Sequence, residues 1–274
     1  MKLRKRILSV VLGVALAFSL AACGKTEKED TNTKEEVVEQ QKDINDEKTK
    51  PAHTAEDMIV LAGARNLVPG LEDVYYSSNK LGTWEPLISN DEHGNPVGIL
   101  AESWERNEDA TAWTFHLRQG VKFQNGEEFN ADVVVENFNR YKLMESGYSG
   151  FTTFKVNELY PGLLGCEKVD DSTVKISFSE PIPRLLFNMK DTASCMFYPG
   201  SWDTTTGYFT EQPVGTGPYK IKEVKEDEYV VLEAFDGYWG EKAKTKNIKI
   251  RTITDPQARY AALDSGEIMG VYWI

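Results

Sequence analysis

The sequence predicts a mixed α/β fold, with an α+β arrangement as the open alternative. Strand-like and helical patterns alternate from residue 58 to the end of the chain. The run Met58-Ile59-Val60-Leu61-Ala62-Gly63 is short and continuously apolar, which suits a strand covered on both faces. The chain has 274 residues, 41% of them hydrophobic, enough for a sizeable core in one or two domains.

After the first strand, Arg65-Asn66-Leu67-Val68-Pro69-Gly70 forms a polar, turn-rich loop, a common way to present binding groups. A helix is expected from Tyr75 to about Trp84, and a turn over residues 91–95. Trp113, Phe115 and Leu117 alternate with Thr114, His116 and Arg118, so this segment is a strand with one buried face. Gln124-Asn125-Gly126-Glu127 reads as a hairpin turn. Asn130 is an N-cap for a helix over 131–142 with Asp132 in its first turn. Val133, Val134, Asn137, Phe138 and Tyr141 cover one face of that helix.

Residues 145–165 read as an aromatic loop. Residues 169–178 form a strand pair around Asp170-Asp171-Ser172, and a short helix starts at Leu185. Gly215-Thr216-Gly217-Pro218 suggests a phosphate loop by spacing, but Pro218 lacks an N–H and a strand follows, so the glycines are expected to shape a tight turn. Strands are expected at 219–224, 229–234 and 248–253. A helix over 255–263 follows, with Pro256 at its favoured first position.

Two end segments stand apart. Lys2, Arg4, Lys5 and Arg6 precede the apolar stretch Ile7–Ala22, which is too short for a good spanning helix and closes on Leu20-Ala21-Ala22-Cys23. Small residues before a cysteine resemble a bacterial lipoprotein cleavage site. This implies a signal peptide over 1–22 and a lipidated Cys23. Residues 24–57 contain 6 Lys and 11 Asp or Glu among 34 positions and no aromatics. They cannot build a core, so 23–57 reads as a charged tether. At the other end Ile268–Ile274 is an apolar run of the kind that pairs and is buried. Its abrupt stop leads us to expect a chain that ends within a larger protein.

Composition also excludes function classes. With 31 basic and 43 acidic residues the net charge is −12, opposite to what phosphate neutralisation by a nucleic-acid binder needs. His53, His93 and His116 are scattered, and no Cys-x-x-Cys or His-x-x-x-His spacing occurs. No Gly-x-Ser-x-Gly elbow is present. No metal site, cofactor or enzyme activity is therefore expected. Cys166 and Cys195 permit a disulfide outside the cell, but two buried thiols are the default.

The order of motifs then carries a resemblance. Trp84-Glu85-Pro86-Leu87 is followed by Leu100-Ala101-Glu102-Ser103-Trp104, Trp113–Phe123, Asn125-Gly126-Glu127 and Ala131-Asp132-Val133. Gly215-Thr216-Gly217-Pro218-Tyr219, Tyr238-Trp239 and Ala261–Ile268 complete the series. Together, behind Cys23, they resemble the peptide/nickel family (family 5) of extracytoplasmic solute-binding proteins that serve ABC importers. The resemblance covers 58–274. It implies a two-lobed, periplasmic-binding-protein-like clamshell of type II, of which this chain supplies the first lobe with its inserted subdomain. It further implies a monomer lipid-anchored at the extracytoplasmic face of the cell membrane. The monomer would pass a small peptide or a nickel or other metal chelate to permease and ATPase subunits.

For such a lobe the ligand-binding candidates are Arg65, Tyr75, Tyr76, Tyr148, Phe151 and Trp202, with Phe154 beside them. Arg65 offers a bidentate clamp for a carboxylate, or a surface pair with Glu72 or Asp73. The tyrosines offer ring walls with polar tips. The nickel branch implies arginines in the same lobe, and none lies between Arg140 and Arg184, a departure from that branch. A peptide-sensing receptor without transport and a tethered hydrolase are the rival readings.

Overall fold

The computed structural model describes residues 57–64, 82–144, 156–190, 194–207, 209–210 and 212–272. In chain order the strands are β1 (Met58–Gly63), β2 (Glu85–Pro86), β3 (Ile88–Asn90), β4 (Pro96–Gly98), β5 (Ala101–Arg106), β6 (Ala112–Leu117), β7 (Leu163–Asp170), β8 (Thr173–Phe178), β9 (Cys195–Met196), β10 (Tyr219–Lys225), β11 (Tyr229–Ala234), β12 (Asn247–Thr252) and β13 (Gly270–Tyr272). The α-helices are α1 (Ala131–Met144), α2 (Val156–Leu159), α3 (Leu185–Met189) and α4 (Pro256–Asp264).

Two sheets carry the architecture. One has the order β10-β11-β12-β1-β13. Its first three strands run antiparallel, while β1 is parallel to both β12 and β13. The other is the antiparallel sheet β5-β6-β8-β7. Residues from β2 to the 210s are thus inserted between the first strand of one sheet and its remaining strands. Two short ribbons, β2-β9 and β3-β4, complete the pairing.

The alternation in β6 holds: Trp113, Phe115 and Leu117 are buried and His116 is exposed. Helix α1 covers this sheet along β7 and β8. Asn130 caps it, accepting the Val133 amide at 3.2 Å, and Val133, Val134, Asn137, Phe138 and Tyr141 are all buried. Asn137 then ties the helix to the chain near β9. Its Nδ2 lies 2.9 Å from the Val133 carbonyl and 2.8 Å from the Phe197 carbonyl, and its Oδ1 accepts the Phe197 amide at 3.1 Å. A buried side-chain amide so used replaces the backbone partners that the short β9 ribbon lacks.

Several expectations are corrected. Residues 75–81 lie outside the described residues, and Thr83 and Trp84 run without a helical turn into β2. Strand β1 is only half-buried from Met58 to Leu61 and buried at Ala62 and Gly63, because one face of its sheet is polar. The segment 145–165 is not all loop: α2 and the start of β7 lie within it. The default of two free thiols at Cys166 and Cys195, by contrast, is what the structure has. Cys195 is buried and Cys166 half-buried, and burial pushes the Cys166 thiol up to about 12. The terminal run does pair: β13 adds to β1 and Ile268 is buried.

Candidate functional site

Parallel strands end together, and the ends of β1, β12 and β13 define the site. Gly63 lies in register with Thr252 on one side and Tyr272 on the other. In sheets of this kind ligands bind outside the carboxyl ends of the strands. The Ile253 amide donates to the Gly63 carbonyl at 2.9 Å, locking the β12 exit against β1. Helix α4 begins at the same edge, where Asp255 accepts the Ala258 amide at 2.7 Å. Arg259, buried at 5% exposure, reaches back from α4. Its Nη1 lies 2.6 Å from the Ile253 carbonyl and 3.0 Å from the Thr254 carbonyl. A buried guanidinium thus holds this turn by its backbone.

The description of the chain breaks off after Ala64 at this edge and resumes at Gly82, beside Tyr219 at the opposite edge of the sheet, where β10 and β12 begin. There Gly82 and Thr83 are held by a seam of backbone and side-chain bonds. The Tyr219 amide donates to the Gly82 carbonyl at 3.0 Å and the Gly217 amide to the Thr83 carbonyl at 3.1 Å. Gln124 Nε2 sits within 3.2 Å of the carbonyls of Thr83, Gly217 and Tyr219. The Trp84 indole donates to the Pro213 carbonyl at 2.9 Å. The glycines of the 215–218 segment are needed for close approach, since neither has a positive φ. A Cβ on Gly217 would overlap the Gly82 carbonyl and lie 2.8 Å from the Thr83 carbonyl carbon, and one on Gly215 would overlap Thr83 and Trp84. The expected tight-turn role is therefore replaced by packing of two backbones.

Beside the seam lies a buried carboxylate that the sequence reading treated only as part of a motif. Glu85 is 8% exposed. Its Oε2 accepts the Thr216 hydroxyl at 2.7 Å and the Trp239 indole at 2.9 Å, and its Oε1 accepts the Tyr238 hydroxyl at 2.7 Å. Arg118 stacks on the Trp239 ring at 4.4 Å and pairs with Glu102 at 3.2 Å. Burial holds the Glu85 carboxyl above the ordinary glutamate range despite the three donors and Arg118. Three motifs far apart in the chain (those around Glu85, Thr216 and Tyr238-Trp239) therefore meet at one carboxylate. An acidic residue flanked by tryptophan and proline in an apolar context was the available signal for it.

The other expected site residues divide plainly. Cys23, Arg65, Tyr75, Tyr76, Tyr148, Phe151 and Phe154 lie outside the described residues. Trp202 is described and is 6% exposed. Its ring lies 5.4 Å from the Arg140 guanidinium and 6.5 Å from Phe209, so its place is in the core rather than on an open cleft wall. Arg140 is buried with it, donating from Nε to the Gly207 carbonyl at 2.7 Å. His93 is exposed beside Glu92.

A shallow depression of about 710 Å³ opens on the polar face of the five-stranded sheet, lined by Met58, Val60, Tyr229, Lys249 and Arg251 among others. Its cations are engaged locally: Arg251 with Glu267, Lys222 with Glu233, and Lys249 over the Tyr229 ring. It lies on the face of the sheet rather than at its carboxyl edge.

Comparison with known proteins places this geometry. The profile of the bacterial extracellular solute-binding proteins, family 5 Middle, matches residues 95–274. The glutathione-binding protein GsiB of Salmonella typhi is 30% identical over 221 residues, covering 79% of this chain and 42% of its own length. The nickel-binding periplasmic protein of Escherichia coli K12 is 30% identical over 226 residues, covering 80% and 41%. Among solved structures, NikA from Brucella suis in complex with Fe(III)-EDTA aligns with a TM-score of 0.67 at 28% identity, over 77% of this chain and 42% of that one. The chain thus spans about two fifths of the length of these relatives, and the fold is the corresponding part of a family 5 binding protein. With more than half of its residues matched, the chain belongs to the family 5 bacterial extracellular solute-binding proteins.

Proposed function

We propose that this chain is the first lobe, with its inserted subdomain, of a lipid-anchored solute-binding component of an ABC importer. It captures a small peptide or a nickel or other metal chelate outside the cell. The observation that carries the reading is the shared carboxyl edge of β1, β12 and β13. Relatives named for glutathione and nickel binding support the ligand class.

In this reading, residues 1–22 are a signal peptide, Cys23 carries the lipid and 23–57 is the tether. Two or more acyl chains give stable anchoring where one does not. Arg65, the second residue after β1, is the carboxylate clamp, and Tyr75, Tyr76, Tyr148 and Phe151 supply aromatic contacts to the ligand. Closure of a second lobe over this edge supplies the remaining contacts, driven by tighter ligand binding to the closed state.

The test is native mass spectrometry of the complete reading frame, purified without its signal region, with the bound species released and identified. Short peptides or a metal-bearing chelate support the reading, and the one found selects the branch. Recovery of neither, together with no binding of a peptide panel or of nickel–histidine by calorimetry, overturns it. Labelled palmitate incorporated by the wild type and lost in Cys23→Ala tests the anchor.

A further inference from the structure

The bonds around Glu85 are unevenly shared between its two oxygens. Oε2 accepts two hydrogen bonds, from the Thr216 hydroxyl at 2.7 Å and the Trp239 indole at 2.9 Å. Oε1 accepts one, from the Tyr238 hydroxyl at 2.7 Å. An indole N–H can only donate, whereas a phenol can also accept. The only oxygen that can take a proton without losing a fixed donor is therefore Oε1. Once protonated, it donates to the Tyr238 oxygen, and the hydroxyl hydrogen of Tyr238 turns away. Tyr238 is half-buried, so that hydrogen can reach water.

We propose that Glu85 and Tyr238 form a proton-operated latch, in which proton uptake at Oε1 reverses the Glu85–Tyr238 hydrogen bond while Thr216 and Trp239 stay on Oε2. The latch goes beyond ligand capture and does not depend on which ligand the lobe takes. No bond other than O–H and its hydrogen bonds changes: one proton comes from solvent, and none leaves Tyr238.

The surroundings fit a group that titrates rather than one fixed in a single form. The charged group felt from outside is Arg118, stacked on Trp239 and paired with Glu102. Across the β2-β9 ribbon the partner of Glu85 is Met196, and the partner of Pro86 is Cys195. Thr216 and the Gln124 amide on the seam side carry no charge. Arg118 and the three donors favour the carboxylate, and burial favours the acid. Burial is the larger, so the exchange is centred above the ordinary glutamate range.

Tyr238 also closes a turn. Its amide donates to the Phe235 carbonyl at 3.1 Å, and the Phe235 amide donates to the Pro218 carbonyl at 2.8 Å. Pro218 directly follows Gly217 of the seam. The latch therefore lies one turn away from the seam.

The experiment is an acid titration of ¹⁵N-labelled protein followed through the Trp239 indole N–H, assigned by its loss in Trp239→Phe. The expected result is one transition with a midpoint above 4.5, with the indole protected from exchange on both sides of it. Glu85→Gln abolishes the transition. Tyr238→Phe moves the midpoint further up, because the carboxylate loses a donor that its charge made strong. A transition that persists in Glu85→Gln, an indole that exchanges freely in acid, or an unmoved midpoint in Tyr238→Phe overturns the latch. If Glu85→Gln does not fold, Tyr238→Phe decides alone.

Discussion

Glu85 and Trp239 stand 154 residues apart in sequence and 2.9 Å apart in the fold. The bond joins the start of the inserted region to the turn that follows β11. Removing the carboxylate leaves a half-buried indole N–H and a buried threonine hydroxyl without their acceptor. Each unsatisfied group costs about 1–3 kcal/mol. Glu85→Ala should therefore lower stability by about 2–4 kcal/mol in urea unfolding. A loss within about 0.5 kcal/mol, the range of ordinary surface changes, would show that the node contributes no stability.

Gly217→Ala should be costly although the change adds one methyl. Its Cβ meets backbone of Gly82 and Thr83 rather than a movable side chain. Overpacking of this kind costs about 1–3 kcal/mol. Gly126→Ala is the control: its φ is +93° but nothing lies within 4 Å of the added carbon. It should pay only the conformational penalty of a left-handed backbone, about 1–2 kcal/mol. A thermal melt of both variants checks the order, and a milder effect at 217 than at 126 contradicts the packing argument.

Asn137→Ala removes two bonds between α1 and Phe197 and a third to the Val133 carbonyl within α1. Both backbone groups of Phe197 lose a partner in the core. The expected destabilisation is about 2–4 kcal/mol. Asn137→Asp should not rescue it, since a carboxylate supplies no donor for the Phe197 carbonyl. Chemical denaturation of the pair of variants measures this, and full rescue by Asp would contradict it.

Cys166 should be sluggish toward alkylation. With its thiol held near 12 by burial and by the neighbouring Glu167, the thiolate fraction at pH 8 is about 10⁻⁴. Iodoacetamide labelling of the folded protein at pH 8, read peptide by peptide, should be about 10³-fold slower at Cys166 than in urea. Equal rates would mean that the thiol is not shielded as described.

Acid stability should show two opposed effects. Asp91, Asp109, Asp170 and Asp203 accept turn donors that hold their carboxyls below the usual aspartate value of 3.8. Their contribution is complete above that value and is lost as the pH falls through the folded values. Glu85 has the opposite sign. Its folded value lies above 4.5, so stability falls as pH rises from 4.5 to that value and then levels off. Stability set by these groups should peak in mild acid. Denaturant midpoints measured from pH 3 to 7 test it, and Glu85→Gln should flatten the acid-side rise while leaving the loss below 3.8.

Much of this fold was legible in the sequence where local chemistry and local structure coincide. Asn130, the apolar face ending at Tyr141, and Pro256 after Asp255 are signals within one or two turns of helix, and the helices start where they say. The Asp170-Asp171-Ser172 turn and the Tyr229–Ala234 partner strand are equally local. What escaped is long-range. Glu85 reads as one acidic residue among many until residues 216, 238 and 239 are brought to it. Gly215 and Gly217 look like turn glycines because sequence does not show the Gly82–Thr83 backbone lying against them. Trp202 looks like a loop aromatic until Arg140 and Phe209 close around it. Of the candidate edge, β1 itself was legible as a strand. The strands flanking it, β12 and β13, are joined to it only by pairings of very long span.

That span bears on how the polypeptide matures. Strand β1 sits between β12 and β13, and Asn247 Nδ2 donates to the Asp57 carbonyl across 190 residues. During synthesis, β1 emerges first and has no partner until the 247–272 segment follows. The inserted sheet β5-β6-β8-β7 needs only residues 101–178, so it can form while β1 is still an unpaired apolar strand. Non-local pairing of this kind is slow and leaves edges exposed in the meantime. The slow step of refolding should accordingly be the docking of Met58–Gly63, and β1 is the segment that most needs a holding chaperone before the sheet closes.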